Sequence, residues 1–220
     1  MAKYFNYFPK TYYSSNTSTN NLDTITNIIA RFGFENSLKE NTAAFYKYQI
    51  QDSDTPEIIA RKYYDNVERH WMVLAFNDII DPQYDWPLSY KSFTEFVDAK
   101  YSAVNYADTS NTSVSGLSYA LNASNIHSYY KLVTRTSTTD SKNLIIEKLE
   151  IDANTYANVA ATTQTITLQD GTSITETITK ETKTYFIYEN ELNESKREIK
   201  LLKPEFVSSV EKEFKKIIKI

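Results

Sequence analysis

Cysteine is absent from the 220 residues. Its absence excludes disulfides, thiolate metal sites and a cysteine nucleophile. Glycine is scarce, present only at Gly33, Gly116 and Gly171. Three scattered glycines cannot build a loop that cradles phosphate with clustered backbone N–H groups. Histidine occurs only at His70 and His127, neither with a metal-type partner at i+4. No apolar run approaches the ~18 residues of a membrane span, and residues 1–7 lack the apolar core of a secretory signal. An excess of basic residues is missing too: 24 Lys and Arg face 28 Asp and Glu, for a net charge of −4. Nucleic acid is therefore not an expected partner. Asp78, Asp81 and Asp85 are the best carboxylate cluster, but their spacing is not that of a calcium-binding loop. A carboxylate pair for glycoside hydrolysis can come from distant positions, and nothing singles one out. The residues therefore predict no catalytic group, no metal and no cofactor.

What is present is a soluble composition, 41% hydrophobic, in a chain long enough for one large or two small domains. Tyrosine is abundant, with 18 residues. Its broad ring and polar tip suit protein interfaces or sugar stacking, and equally a Tyr-rich β-sheet.

Residues 48–88 carry the strongest local signals. The alternation at 45–50 predicts a strand. Asp54 or Thr55 can cap a helix, Pro56 fits its first position, and Glu57 suits its positive end. Ile58, Ile59, Lys62 and Tyr63 then recur at helical spacing, and residues 65–69 read as a turn. Residues 71–76 are apolar nearly all round, which predicts a mostly buried helix. Asn77 suits its C-terminal cap in the left-handed conformation, and Pro82 blocks its continuation. Trp71, Met72, Leu74 and Phe76 read first as core. Trp86, between Asp85 and Pro87, suits a surface anchor or the core.

The order Asp54-Thr55, Pro56, Ile59-Ala60, Tyr63, Asn77 and Asp81-Pro82 resembles a LysM module, a small βααβ unit. Two features depart from that pattern: Ser53 stands where glycine is usual, and residues 83–87 stand where a second strand is usual. His70-Trp71, Asn77-Asp78, Asp81-Pro82 and Tyr84 to Trp86 extend the match. The whole stretch resembles the baseplate wedge protein of contractile-tailed bacteriophages, which carries a LysM-like core. The aromatic residues before Pro9 and the segments 188–194 and 196–202 resemble the same family.

This resemblance implies a structural protein of the virion tail baseplate, made in the host bacterial cytoplasm and not an enzyme. It would clamp neighbouring wedges around the central hub, with other wedge and hub-proximal tail subunits as partners. Tyr4, Phe5, Phe8, Tyr63, Trp71, Tyr84, Trp86, Phe206 and Phe214 are the candidate protein-interface residues. The alternative is a LysM-type protein that binds glycan, such as peptidoglycan, in a groove near Asp54 and Ile80.

The expected fold class is α+β: a LysM-like βαα core with flanking helices, a C-terminal antiparallel β region and a terminal helix. Residues 1–21 read as an aromatic and polar arm, 22–101 as the helical and LysM-like core, and 102–127 as a linker. Residues 128–188 read as β-rich, and 189–220 as a charged segment with an amphipathic helix. Within the core, Asp23 is expected to cap a helix carrying Ile25, Ile28, Ile29 and Phe32 and ending near Gly33. Ser89 is expected to cap another that carries Phe93, Phe96, Val97 and Tyr101. Strands are expected at 130–134, 144–151, 163–168, 173–179 and 185–188, with an Asp170-Gly171 hairpin turn. In the last helix, Phe206, Val207, Val210, Phe214, Ile217 and Ile218 form one stripe, which suits its own domain or a partner's groove.

Overall fold

All strand pairs of the computed structural model are antiparallel among its described residues, which are 8–14, 22–28, 33–107, 115–137 and 145–218. In chain order the elements are β1 (Lys10–Tyr13), β2 (Asp23–Thr26), α1 (Asn36–Glu40), β3 (Phe45–Gln49), α2 (Pro56–Tyr64), α3 (His70–Phe76) and α4 (Pro82–Asp85). They continue with α5 (Tyr90–Ala107), α6 (Gly116–Leu121), β4 (Ile126–Ser137), β5 (Ile145–Ile151) and α7 (Ala153–Asn158). The last are β6 (Thr162–Thr167), β7 (Ser173–Thr184), α8 (Tyr185–Ser195), β8 (Glu198–Leu202) and α9 (Pro204–Ile218). The protein is thus α+β, with antiparallel sheets and a C-terminal helix. It forms two units, residues 1–89 with 194–220, and residues 90–193.

The first unit is closed by pairing across the length of the chain. β3 pairs with β8, placing Phe45 opposite Leu202 and Gln49 opposite Glu198. α2 and α3 follow β3 in the chain. The Thr55 side chain caps α2 by accepting from the Ile58 N–H at 3.3 Å, Pro56 opens the helix, and Asp65 ends it at φ 51°. One 3-10 turn, Val67–Arg69, leads into α3, which buries Trp71, Met72, Val73 and Phe76. Ile50, Ile59, Leu201, Leu202 and Val207 complete the same core. On α9, Phe214 stacks on Trp71 with ring centroids 4.6 Å apart, and Phe8 meets Phe214 edge-on at 6.3 Å.

Asp23 does not cap a helix. Residues 23–26 are strand β2, paired with β1 so that Lys10 faces Thr26 and Tyr13 faces Asp23. The β-branched Thr24, Ile25 and Thr26 fit a strand once a partner is at hand, and that partner lay in a stretch read as a polar arm. Ile29 and Phe32 lie outside the described residues. The left-handed residue after α3 is Asp78, at φ 56°, rather than Asn77.

In the second unit the strand order is β5-β4-β7-β6. Gly171, at φ 83°, sits in the β6–β7 turn, and the Asp170 carboxylate accepts from the Thr172 N–H at 2.9 Å. Residues 185–188 form the start of helix α8, not a final strand. The β-propensity of Tyr185, Phe186, Ile187 and Tyr188 is overridden by packing: Phe186 meets Phe93 of α5 edge-on at 5.5 Å, and Glu189 and Asn193 are buried one turn apart. Residues 102–127, read as a linker, carry the last turns of α5 and helix α6. Ser115 caps α6 through the Ser118 N–H. A Cβ on Gly116 would lie 2.1 Å from the Asp98 carbonyl oxygen, so glycine is what lets α6 approach α5.

Candidate functional site

The strand-to-helix junction of the first unit is organised by Asp54. Its carboxylate accepts from the Tyr48 hydroxyl at 2.5 Å, the Gln51 N–H at 3.1 Å and the Lys62 ammonium at 2.6 Å. Its backbone carbonyl accepts from the Trp86 indole at 3.1 Å. Burial pulls the Asp54 carboxyl upward, but the bonds from Lys62, Tyr48 and Gln51 outweigh it and hold it below the usual carboxylate range. Burial first, then the bonded carboxylate, pushes the Tyr48 phenol well above its ordinary value. Tyr63 lies edge-on to Tyr48 at 5.3 Å and forms the exposed rim of this junction.

A second junction is held by Arg197, which is 9% exposed. Its guanidinium donates to Glu194 and Asp52, both at 2.7 Å, and to the carbonyls of Ile50 at 3.3 Å and Leu88 at 3.2 Å. The fork of donors ties the end of β3 to both places where the chain leaves and re-enters the first unit. Asn77 joins α3 to β8: its amide donates to Val73 and Lys200 carbonyls, both at 2.8 Å, and accepts from the Lys200 N–H at 2.7 Å. It pairs with β8 as a strand residue would.

The carboxylates of Asp78, Asp81 and Asp85 are engaged separately. Asp78 pairs with Lys39, Asp81 caps α4 through the Gln83 N–H at 3.0 Å, and Asp85 accepts from the N–H groups of Ile80 and Asp81. A depression of about 340 Å³ is lined by Asn77, Asp78, Ile79, Asp85, Lys196, Glu198 and Ile199. It lies near Ile80, one end of the groove expected for glycan. At the other end, Asp54 is buried and its polar atoms are already bonded. His70 bonds the Val67 carbonyl, and His127 stacks on Tyr188 at 3.7 Å, so both rings have structural partners.

Of the nine candidate interface residues, Phe8, Trp71 and Phe214 are buried against one another in the core. Their rings pack within this chain, Phe214 of α9 on Trp71 of α3 and Phe8 on Phe214. Trp86 is half-buried, packed on the core and bonded to Asp54. Tyr63, Tyr84 and Phe206 remain exposed, Tyr84 most of all at 72%. Tyr4 and Phe5 lie outside the described residues. Arg197 and the pairing role of Asn77 escaped the sequence reading. The strand period of Ile199 and Leu201 beside Arg197 was the available signal for the first.

A family model described as base plate wedge protein 53 matches residues 3–217. No curated protein matches the chain.

Proposed function

The chain belongs to the base plate wedge protein 53 family of phage tail baseplate components, and from that membership we propose that it is a structural clamp joining neighbouring wedge subunits around the central hub. Its partners are then other wedge and hub-proximal subunits, it acts without catalysis, and it is made in the host cytoplasm before assembly into the virion. The observation that carries the reading is the match over residues 3–217, which spans both units and both ends of the first. The exposed rings of Tyr63, Tyr84 and Phe206 suit anchors, since aromatic residues are over-represented at interface centres. Several modest contacts on one chain gain strength through effective concentration.

We further infer that β3, α2, α3 and β8 form the LysM-like core, its last strand supplied after the excursion through residues 90–193. The full engagement of Asp54 favours an assembly role for this core over glycan binding. The test is cross-linking with mass spectrometry on purified tails, followed by Tyr84→Lys and Phe206→Lys in the phage. Links from the first unit to other baseplate subunits, and loss of joined wedges in the variants, are the expected results. Normal tails from both variants would remove these residues as anchors. A protein absent from tails would end the clamp reading.

A further inference from the structure

The two edges of the four-stranded sheet are built differently. β5 carries Glu147, Lys148 and Glu150 along one edge, the usual way a sheet discourages pairing with another chain. β6, on the other edge, reads Thr-Thr-Gln-Thr-Ile-Thr, with no charge and no proline, and all six residues are exposed. Among the described residues nothing pairs with its outer side.

The outer backbone groups of β6 can be identified. The turn closes with the Leu168 N–H on the Thr172 carbonyl at 2.8 Å. Hydrogen-bonded and non-hydrogen-bonded pairs alternate along an antiparallel ladder. The even residues Thr162, Gln164 and Ile166 therefore point their backbone groups at β7, and Thr163, Thr165 and Thr167 point theirs outward. The side chains agree, because non-hydrogen-bonded pairs bring side chains closest. The hydroxyls of Thr163 and Thr177, Thr165 and Thr175, and Thr167 and Ser173 lie 3.5, 3.1 and 3.0 Å apart.

We propose that β6 is a self-association edge, pairing antiparallel with β6 of a second copy about a two-fold axis at Thr165. That register sets Thr163 opposite Thr167 of the second copy, Thr165 opposite its equivalent, and Gln164 opposite Ile166. Every outward backbone group then meets a partner, no like charges oppose each other, and the threonine ladder shared with β7 continues across the junction. Thr–Thr pairs are among the favourable cross-strand neighbours. The same operation on β5 about Lys148 would place two ammonium groups face to face. The second copy is thus the occupant for which the edge is self-complementary. This inference does not depend on the clamp reading.

The experiment is sedimentation equilibrium of the full chain across the micromolar range, for the parent, Thr165→Lys, Thr165→Glu and an equimolar mixture of the two variants. Thr165 is exposed, and the far-UV spectra of both variants should match the parent. The expected result is a reversible dimer for the parent. Each variant alone should dimerise about tenfold more weakly or worse, because like charges meet at the axis, and the mixture should recover the dimer. A parent that stays monomeric throughout would overturn the proposal and leave the edge to another protein's strand. A dimer equally strong in both variants would overturn it by placing the contact elsewhere.

Discussion

Asp54 shows how one side chain can set a protein's response to pH. Its carboxyl is held below the range it has in an unfolded chain, by bonds from Lys62, Tyr48 and Gln51 that outweigh its burial. A depressed folded pKa adds stability above the unfolded value, about pH 4, which is lost as pH falls through the folded one. Asp54→Asn is therefore expected to destabilise the protein at neutral pH, with the difference from the parent shrinking as pH drops below about 4. Urea unfolding at several pH values reads it. Tyr48 has the opposite sign: a raised phenol favours the folded state until the unfolded chain begins to ionise, so stability should fall above about pH 10. Arg197→Ala should cost about 2–3 kcal/mol, since two backbone carbonyls lose a charged donor while Asp52 and Glu194 can turn to water. Lysine should not rescue it, because four acceptors need the planar fork. A urea midpoint within error of the parent would refute that role.

Elements whose signals are local were legible in the sequence. The Thr55-Pro56 start of α2, the buried α3 and the Asp170-Gly171 turn all rest on neighbours a few residues apart. So does the stripe of α9, although its Phe214 turned out to be core. Elements decided by distant partners were not. β8 shows a strand period only at Ile199 and Leu201, and its other half is β3, far along the chain. β2 needed β1, and α8 became a helix because α5 offered Phe93 and a bonding site for Glu189. For the candidate interface residues, residue type is visible in the sequence and burial is not. Trp71, Phe214 and exposed Tyr84 look equally adhesive in one dimension. At this scale Gly116 gives a sharp test. Gly116→Ala would drive a methyl group into the α5 backbone at Asp98 and Ser102. We expect a loss of about 1–3 kcal/mol, read by thermal unfolding, whereas Gly33→Ala, with open space around it, should be close to neutral.

The whole molecule is a chain that leaves a unit, forms another, and returns. Leu88 and Arg197 meet at 3.2 Å, so the exit and return lie side by side in the first unit. Removing residues 90–193 and joining 89 to 194 through a short flexible linker should therefore leave a cooperatively folding unit, because few residues suffice to span the gap. Far-UV spectra and a sigmoidal urea curve would check it. A featureless curve would mean that the first unit depends on the second. The antiparallel match of β3 with β8 also has a meaning in time. About 150 residues of further synthesis separate the two strands, which at about 5–20 residues per second takes roughly eight to thirty seconds. Throughout that interval Phe45, Ile50 and Met72 lack Leu201 and Leu202. The nascent protein thus carries an uncovered apolar surface until β8 has been made, and its yield in the cell should depend on what shields that surface in the meantime.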